Sequence, residues 1–179
     1  MHLTFLHDPR GECVTLIRRA DGAEFTLSSY SRKHHVPHDL AHAVTERELG
    51  MPDGIFGCIA AGAVFDSMQQ TAGKKRYDAK IRSTRILKAP NSIGVSESLT
   101  SVIHEAVEKD RPTPYALARE TWGITRPDPC PYLDTDLDRA TETLRELSRQ
   151  WQASSDPLVL PWPKRLQATG LQRRSADQI

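Results

Sequence analysis

Four histidines, His34, His35, His38 and His42, fall within nine residues of the run HHVPHDLAHAVTERELG, beside Asp39 and Glu46. Imidazole and carboxylate groups at this density can hold a divalent ion or carry protons. No nucleophile elbow or glycine-rich phosphate loop competes with them elsewhere in the chain. His38 and His42 are four residues apart, which on a helix puts both rings on one face where they can close on a single ion. Seven His scattered over 179 residues would give about 0.27 such pairs per chain, and requiring Asp after the first His lowers this to about 0.02. The combination therefore carries information that the pair alone does not.

The remaining ligands follow from helix geometry. Asp39 can ligate, move a proton or complement the helix N-terminus. Glu46 lies about 12 Å along the axis from His38 at ~1.5 Å per residue, too far to share an ion with it. It is better suited to orienting His42 or acting as a nearby base. Asp53, at the mouth of the next helix, can fold back to complete the set. The metal ligands expected are thus His38, His42, Asp39 and Asp53, with Asp39 and Glu46 as proton carriers. Imidazole with carboxylate favours Zn2+, and two His plus one carboxylate with open positions also suits Fe2+. His104, beside Glu105 and Glu108, reads as a surface residue on a helix that could supply a further ligand. His34 and His35 read as solvent-facing.

His38-Asp39-Leu40-Ala41-His42 resembles the HDxxH part of the HDxxH-plus-distant-Glu motif of the Coq4 ubiquinone-biosynthesis family. The resemblance covers about twenty residues and implies zinc held by the two His, the Asp and the Glu. The family's Glu would fall at Gly54 here, with a carboxylate one place earlier at Asp53. Zincin proteases differ in having Glu after the first His, and HD phosphohydrolases need a separate upstream His and a distant Asp.

The elements that must position these residues are readable from periodicity. Leu3–Leu6, Cys13–Ile17 and Glu24–Ser28, separated by Asp8-Pro9-Arg10-Gly11 and Asp21-Gly22, read as an antiparallel meander of about three strands. The run 34–50 reads as a helix entered after His34 and His35, with Pro37 suited to its first turn, Gly50 to its stop and an apolar side of Leu40, Ala43, Val44 and Leu49, and Gly54–Phe65 reads as a helix apolar almost all round. Ser96 reads as the N-cap of a helix carrying Leu99, Val102, Ile103, Ala106 and Val107. Tyr115–Trp122 and Asp134–Ala153 read as further helices, and Leu158–Leu160 as a strand returning to the sheet. The expected architecture is α+β, a small N-terminal antiparallel sheet under four or so helices, in one domain over 1–165 with a flexible tail over 166–179.

Between these elements, residues 72–94 carry Lys74, Lys75, Arg76, Lys80, Arg82, Arg85 and Lys88 against Asp78 alone. The segment reads as mobile, with Lys74, Lys75, Arg76 and Lys80 able to hold an anionic small molecule. A net charge of +1 and 6% aromatics argue against a nucleic-acid track. No apolar run approaches the length of a membrane span, and no secretory leader is readable, so a soluble cytoplasmic protein is expected. Three cysteines without CxxC spacing exclude a readable disulfide framework or cysteine zinc knuckle. Together these features imply a metal-binding protein, a small zinc- or iron-dependent hydrolase or lyase acting on an anionic small molecule. The alternative is a non-catalytic interaction or nucleic-acid accessory module using residues 74–88. The oligomeric state is not readable.

Overall fold

The computed structural model describes residues 1–9, 12–29, 34–89 and 92–168. Within them the chain is α+β, with strands β1 (His2–His7), β2 (Cys13–Arg18) and β3 (Glu24–Ser29), then helices α1 (His38–Glu48) and α2 (Ile55–Ala61). Strand β4 (Met68–Ala72), helices α3 (Ala79–Lys88), α4 (Ile93–Glu108), α5 (Tyr115–Thr125) and α6 (Asp134–Ala153), and strand β5 (Leu158–Pro161) complete it.

The sheet is antiparallel throughout, in the order β4-β3-β2-β1-β5. Its period-two pattern puts Leu3, Phe5, Ile17, Phe25 and Leu160 on the covered face, with Leu3 opposite both Ile17 and Leu160 and Ile17 opposite Phe25. Five strands replace the expected meander of about three. The returning strand Leu158–Pro161 pairs with β1 as its alternation suggests, whereas β4, MQQTA, is an edge strand exposed at all but Met68 and so carries no apolar periodicity.

Helix α1 occupies the centre of the helical layer. It packs against α2, α4 and α6, and seven consecutive residues from Leu40 to Glu46 are buried. A helix so enclosed can keep polar side chains only if they find partners, and His42 and Glu46 are among those buried residues. Thr15, fully buried on the inner face of β2, donates to the Asp39 carboxylate at 3.0 Å and ties the first turn of α1 to the sheet. Three free cysteines occur, and the buried thiols of Cys13 and Cys58 are both pushed up to about 12 by burial, which keeps them unreactive.

The basic segment holds more order than its composition suggests. Residues 79–88 form α3, with Ser83 and Ile86 buried. Arg82 donates through Nε and Nη2 to the Ala61 carbonyl at 2.9 and 2.6 Å, at the C-terminal end of α2. The chain there turns through Gly62, whose φ of +117° favours glycine and whose absent Cβ leaves room for the Arg82 side chain. Arg82→Ala is therefore expected to cost about 1–2 kcal/mol, the range for partly screened hydrogen bonds from a charged donor. Neutralising the exposed Lys74, Lys75 and Lys80 together should leave the melting temperature within about 2 °C of the wild type, as surface substitutions usually do. Thermal denaturation of the two variants decides between a structural and a purely solvated segment.

The last described residues are also anchored. Leu166 is buried and its carbonyl accepts from Trp162 Nε1, and Ala168 N–H donates to the Gly57 carbonyl at 3.1 Å. The expected flexible tail thus loses residues 166–168, and 169–179 lie outside the described residues, as do Arg10 and Gly11 of the first predicted turn. Among the described residues no helix is long and apolar enough to cross a membrane.

Candidate metal centre

Helices α1 and α4 lie side by side, and polar residues spaced by four on each meet in antiparallel register. Glu46 meets Ser96, His42 meets Ser96 and Thr100, His38 meets His104, and the backbone ahead of α1 meets Glu108. On each helix the i, i+4 repeat keeps these polar side chains on one face, so the two polar rows face each other across the contact. The four-residue polar repeat Ser96, Thr100, His104 and Glu108 stands in the sequence beside the apolar stripe of Leu99, Val102, Ile103, Ala106 and Val107. Its significance depends on knowing that α1 is the neighbour.

At one end of the row Glu46 is fully buried and accepts hydrogen bonds from Ile55 N–H at 2.8 Å, Phe56 N–H at 2.9 Å and Ser96 Oγ at 2.6 Å. It satisfies the first orphan donors of α2, which has no side-chain cap of its own. Ser96 is consequently a buried hydroxyl inside α4, not the N-cap expected; the helix begins at Ile93, after Ser92. Gly54 makes the approach of Glu46 feasible, since a Cβ there would stand 2.4 Å from Glu46 Cδ.

His42 is the pivot. Its Nδ1 faces Thr100 Oγ1 at 3.4 Å, Ser96 Oγ at 3.5 Å and Glu46 Oε1 at 3.7 Å. Ser96 gives its proton to Glu46, so toward His42 its oxygen accepts, which places a proton on Nδ1 and turns Nε2 outward toward Glu97. Nε2 is buried and makes no hydrogen bond of acceptable geometry, although Glu97 Oε2 stands 3.2 Å away. Burial pushes the ring's pKa down, but Glu46 and Glu97 outweigh it and raise it to about 9. His38, half-buried and beside His42 and His104, is pushed down to about 4 by burial and by those rings, which leaves it a neutral imidazole. The His38 and His42 rings meet edge to face with centroids 4.7 Å apart.

Ligand atoms of His38, His42 and Glu97 all lie within 4.8 Å of one another, and so do those of His34, His104 and Glu108. Neither group includes Asp39 or Asp53. The Asp39 carboxyl turns to Thr15 and the sheet, where burial raises its pKa. Asp53 serves through its backbone carbonyl, which accepts from Ser92 N–H and the Cys58 thiol. The carboxylate beside the two expected histidines is therefore Glu97, from a helix 55 residues further on in the chain. Helical spacing within α1 could not reveal it. His104 is buried, contrary to its expected surface position. His34 and His35 are exposed as expected, and His34 nonetheless reaches its neighbours.

The basic residues line a different concavity. A cleft of about 520 Å3 between the β3–β4 edge and α3 is bordered by Lys74, Lys75, Arg76, Lys80, Arg19 and Phe25, among others, and by no member of the histidine row. Arg19 forks onto Asp21 through Nε and Nη2, lies 5.0 Å over the Phe25 ring, and leaves Nη1 buried without a partner. Comparison with protein-family models, with curated proteins and with solved structures finds no match, so the chemistry of this site is read from its geometry.

Proposed function

We propose that the chain is a metal-dependent enzyme of hydrolase or lyase type, in which His38, His42 and Glu97 hold a divalent ion. The observation that carries this reading is the buried Nε2 of His42, which has no hydrogen bond of acceptable geometry yet stands 3.2 Å from Glu97 Oε2 as an ion pair. Two ligands of one tetrahedral ion with bonds near 2.0–2.1 Å stand about 3.3 Å apart, so the pair is spaced as ligands although it is misaligned as a hydrogen bond. The HDxxH resemblance and the imidazole-rich donor set favour zinc, and iron(II) is the second choice. Three protein ligands leave a position open, as in catalytic rather than structural sites. Half-buried His38 and exposed Glu97 set that position at the rim of the helix pair, where a small molecule can arrive. The ion supplies Lewis acidity there. Glu46 holds the His42 ring through Ser96 and from across Nδ1, the role of a positioning group, and Asp39, turned to the sheet, supports the first turn that carries His38.

A second reading rests on the separate basic cleft. The orphaned Nη1 of Arg19 beside Lys74, Lys75 and Lys80 suits an anionic small molecule or an acidic partner bound without chemistry at the histidines. Chelator competition on untagged, metal-depleted protein separates the two. Glu97→Ala is expected to weaken zinc binding by about 100-fold or more, beyond the ~10–100-fold typical of losing a supporting partner, and Asp53→Ala to leave it nearly unchanged. Equal affinity in wild type and Glu97→Ala would remove the proposed ligand set and promote the second reading.

A further inference from the structure

The histidine row does not end at His38. Beyond it the His104 ring lies edge-on at 5.9 Å and the His34 ring edge-on to His104 at 5.0 Å, with Glu108 closing the far end as Glu97 flanks the near one. The His104 side chain is buried with Nε2 2.9 Å from the Val36 carbonyl. A carbonyl only accepts, so the proton must sit on Nε2, and Nδ1 is left with its lone pair free. A ligating histidine is commonly held by a backbone carbonyl in this way, which fixes both tautomer and ring orientation. Glu108 is fixed as well, since its two oxygens accept from His35 N–H at 2.8 Å and Val36 N–H at 3.0 Å, each keeping a lone pair for a cation. His34 Nδ1 stands 3.9 Å from Glu108 Oε1 and is half exposed, which provides an entry side.

We infer that His34, His104 and Glu108 form a second divalent-metal position adjoining the first, so that the α1–α4 seam carries a two-ion centre of four imidazoles flanked by two carboxylates. The inference rests on the reading of His38, His42 and Glu97 as the first position. The second position differs from the first in how its ligands are held. Its carboxylate and its buried imidazole are both pinned by the backbone of residues 35 and 36, the segment leading into α1. Metal bound there would also clamp that segment onto α4. Adjacent ions suit substrates that offer two oxygens at one centre, phosphoryl or carboxyl groups in particular.

The test is zinc stoichiometry by elemental analysis and by titration of untagged full-length chain, with circular dichroism to confirm folding of each variant. Wild type is expected to bind two equivalents, His42→Ala one and His34→Ala one. His34 is the variant of choice because its exposure makes the substitution harmless to the core, and His104→Ala should then agree with it. One equivalent in the wild type, lost in His42→Ala and kept in His34→Ala, overturns the second position and leaves the first intact. One equivalent lost only in His34→Ala overturns the first reading instead. A single equivalent lost in both variants means one shared ion and overturns the pair. No zinc in the wild type, or two equivalents kept in both variants, overturns both assignments.

Discussion

Zinc at a hundred times its dissociation constant is expected to raise the melting temperature of the metal-depleted protein by about 5–10 °C for each occupied position. An ion that binds only the folded chain contributes about 2.7 kcal/mol at that excess, and a chain of 179 residues shifts by roughly 2–4 °C per kcal/mol. His42→Ala should lose the share that belongs to its own position and keep only what His34, His104 and Glu108 supply. Each protein is compared with itself, with and without zinc, so any destabilisation caused by removing a buried ring cancels. The comparison is sharp because His42 is the one ligand of its group held on both sides, by Ser96, Thr100 and Glu46 at Nδ1 and by Glu97 across from Nε2. An undiminished zinc response in His42→Ala would place the ion elsewhere.

How far the sequence carried this reading depended on where the partners of each residue lie. Elements whose buried faces repeat locally were legible: the three N-terminal strands, the start of α1 beyond Pro37, and α6, which spans Asp134–Ala153 as its apolar stripe predicts. Strand β4 was not, because an edge strand made of Gln and Thr has no face to announce. Nor was α3, whose ten residues bury only Ser83 and Ile86 under a cover of cations. The site divides the same way. The His38–His42 pair is a local relation within one helix and was found from spacing, whereas Glu97 and His104 join through the packing of α4 on α1. The polar repeat of four in α4 held a hint of His104 but not of Glu97, which lies one place off it. A buried polar ridge on one helix requires a matching ridge on another, and Ser96, Thr100, His104 and Glu108 are the ridge that fits His38, His42 and Glu46.

Glu46→Ala is expected to destabilise the protein by about 3–5 kcal/mol, the range for stranding the partners of a buried charged group, and to do so in the presence of a chelator. The carboxylate is fully buried and carries three donors: the Ile55 and Phe56 amides at the start of α2 and the Ser96 hydroxyl on α4. Its loss would strand the buried Phe56 amide and Ser96 hydroxyl and deprive the partly buried Ile55 amide of its partner, and the melting temperature should fall on the order of 10 °C. Glu46→Gln keeps the volume and one acceptor but turns an amide N–H toward a donor, so about half that loss is expected. Gly54→Ala approaches the same interaction from the other side. The backbone there has an ordinary φ of −76°, so an added Cβ acts by crowding, with the Glu46 carboxyl nearest to it, and a cost of about 1–3 kcal/mol follows from overpacking. A residue whose main task was proton transfer would behave differently: Glu46→Gln would fold like the wild type and lose only turnover. Because Glu46 also faces Nδ1 of His42, both Glu46 variants should weaken zinc binding by about 10–100-fold as the ring loses its support. Melting of Glu46→Ala within about 2 °C of the wild type in chelator, with zinc affinity unchanged, would show that α2 and His42 are held by something else.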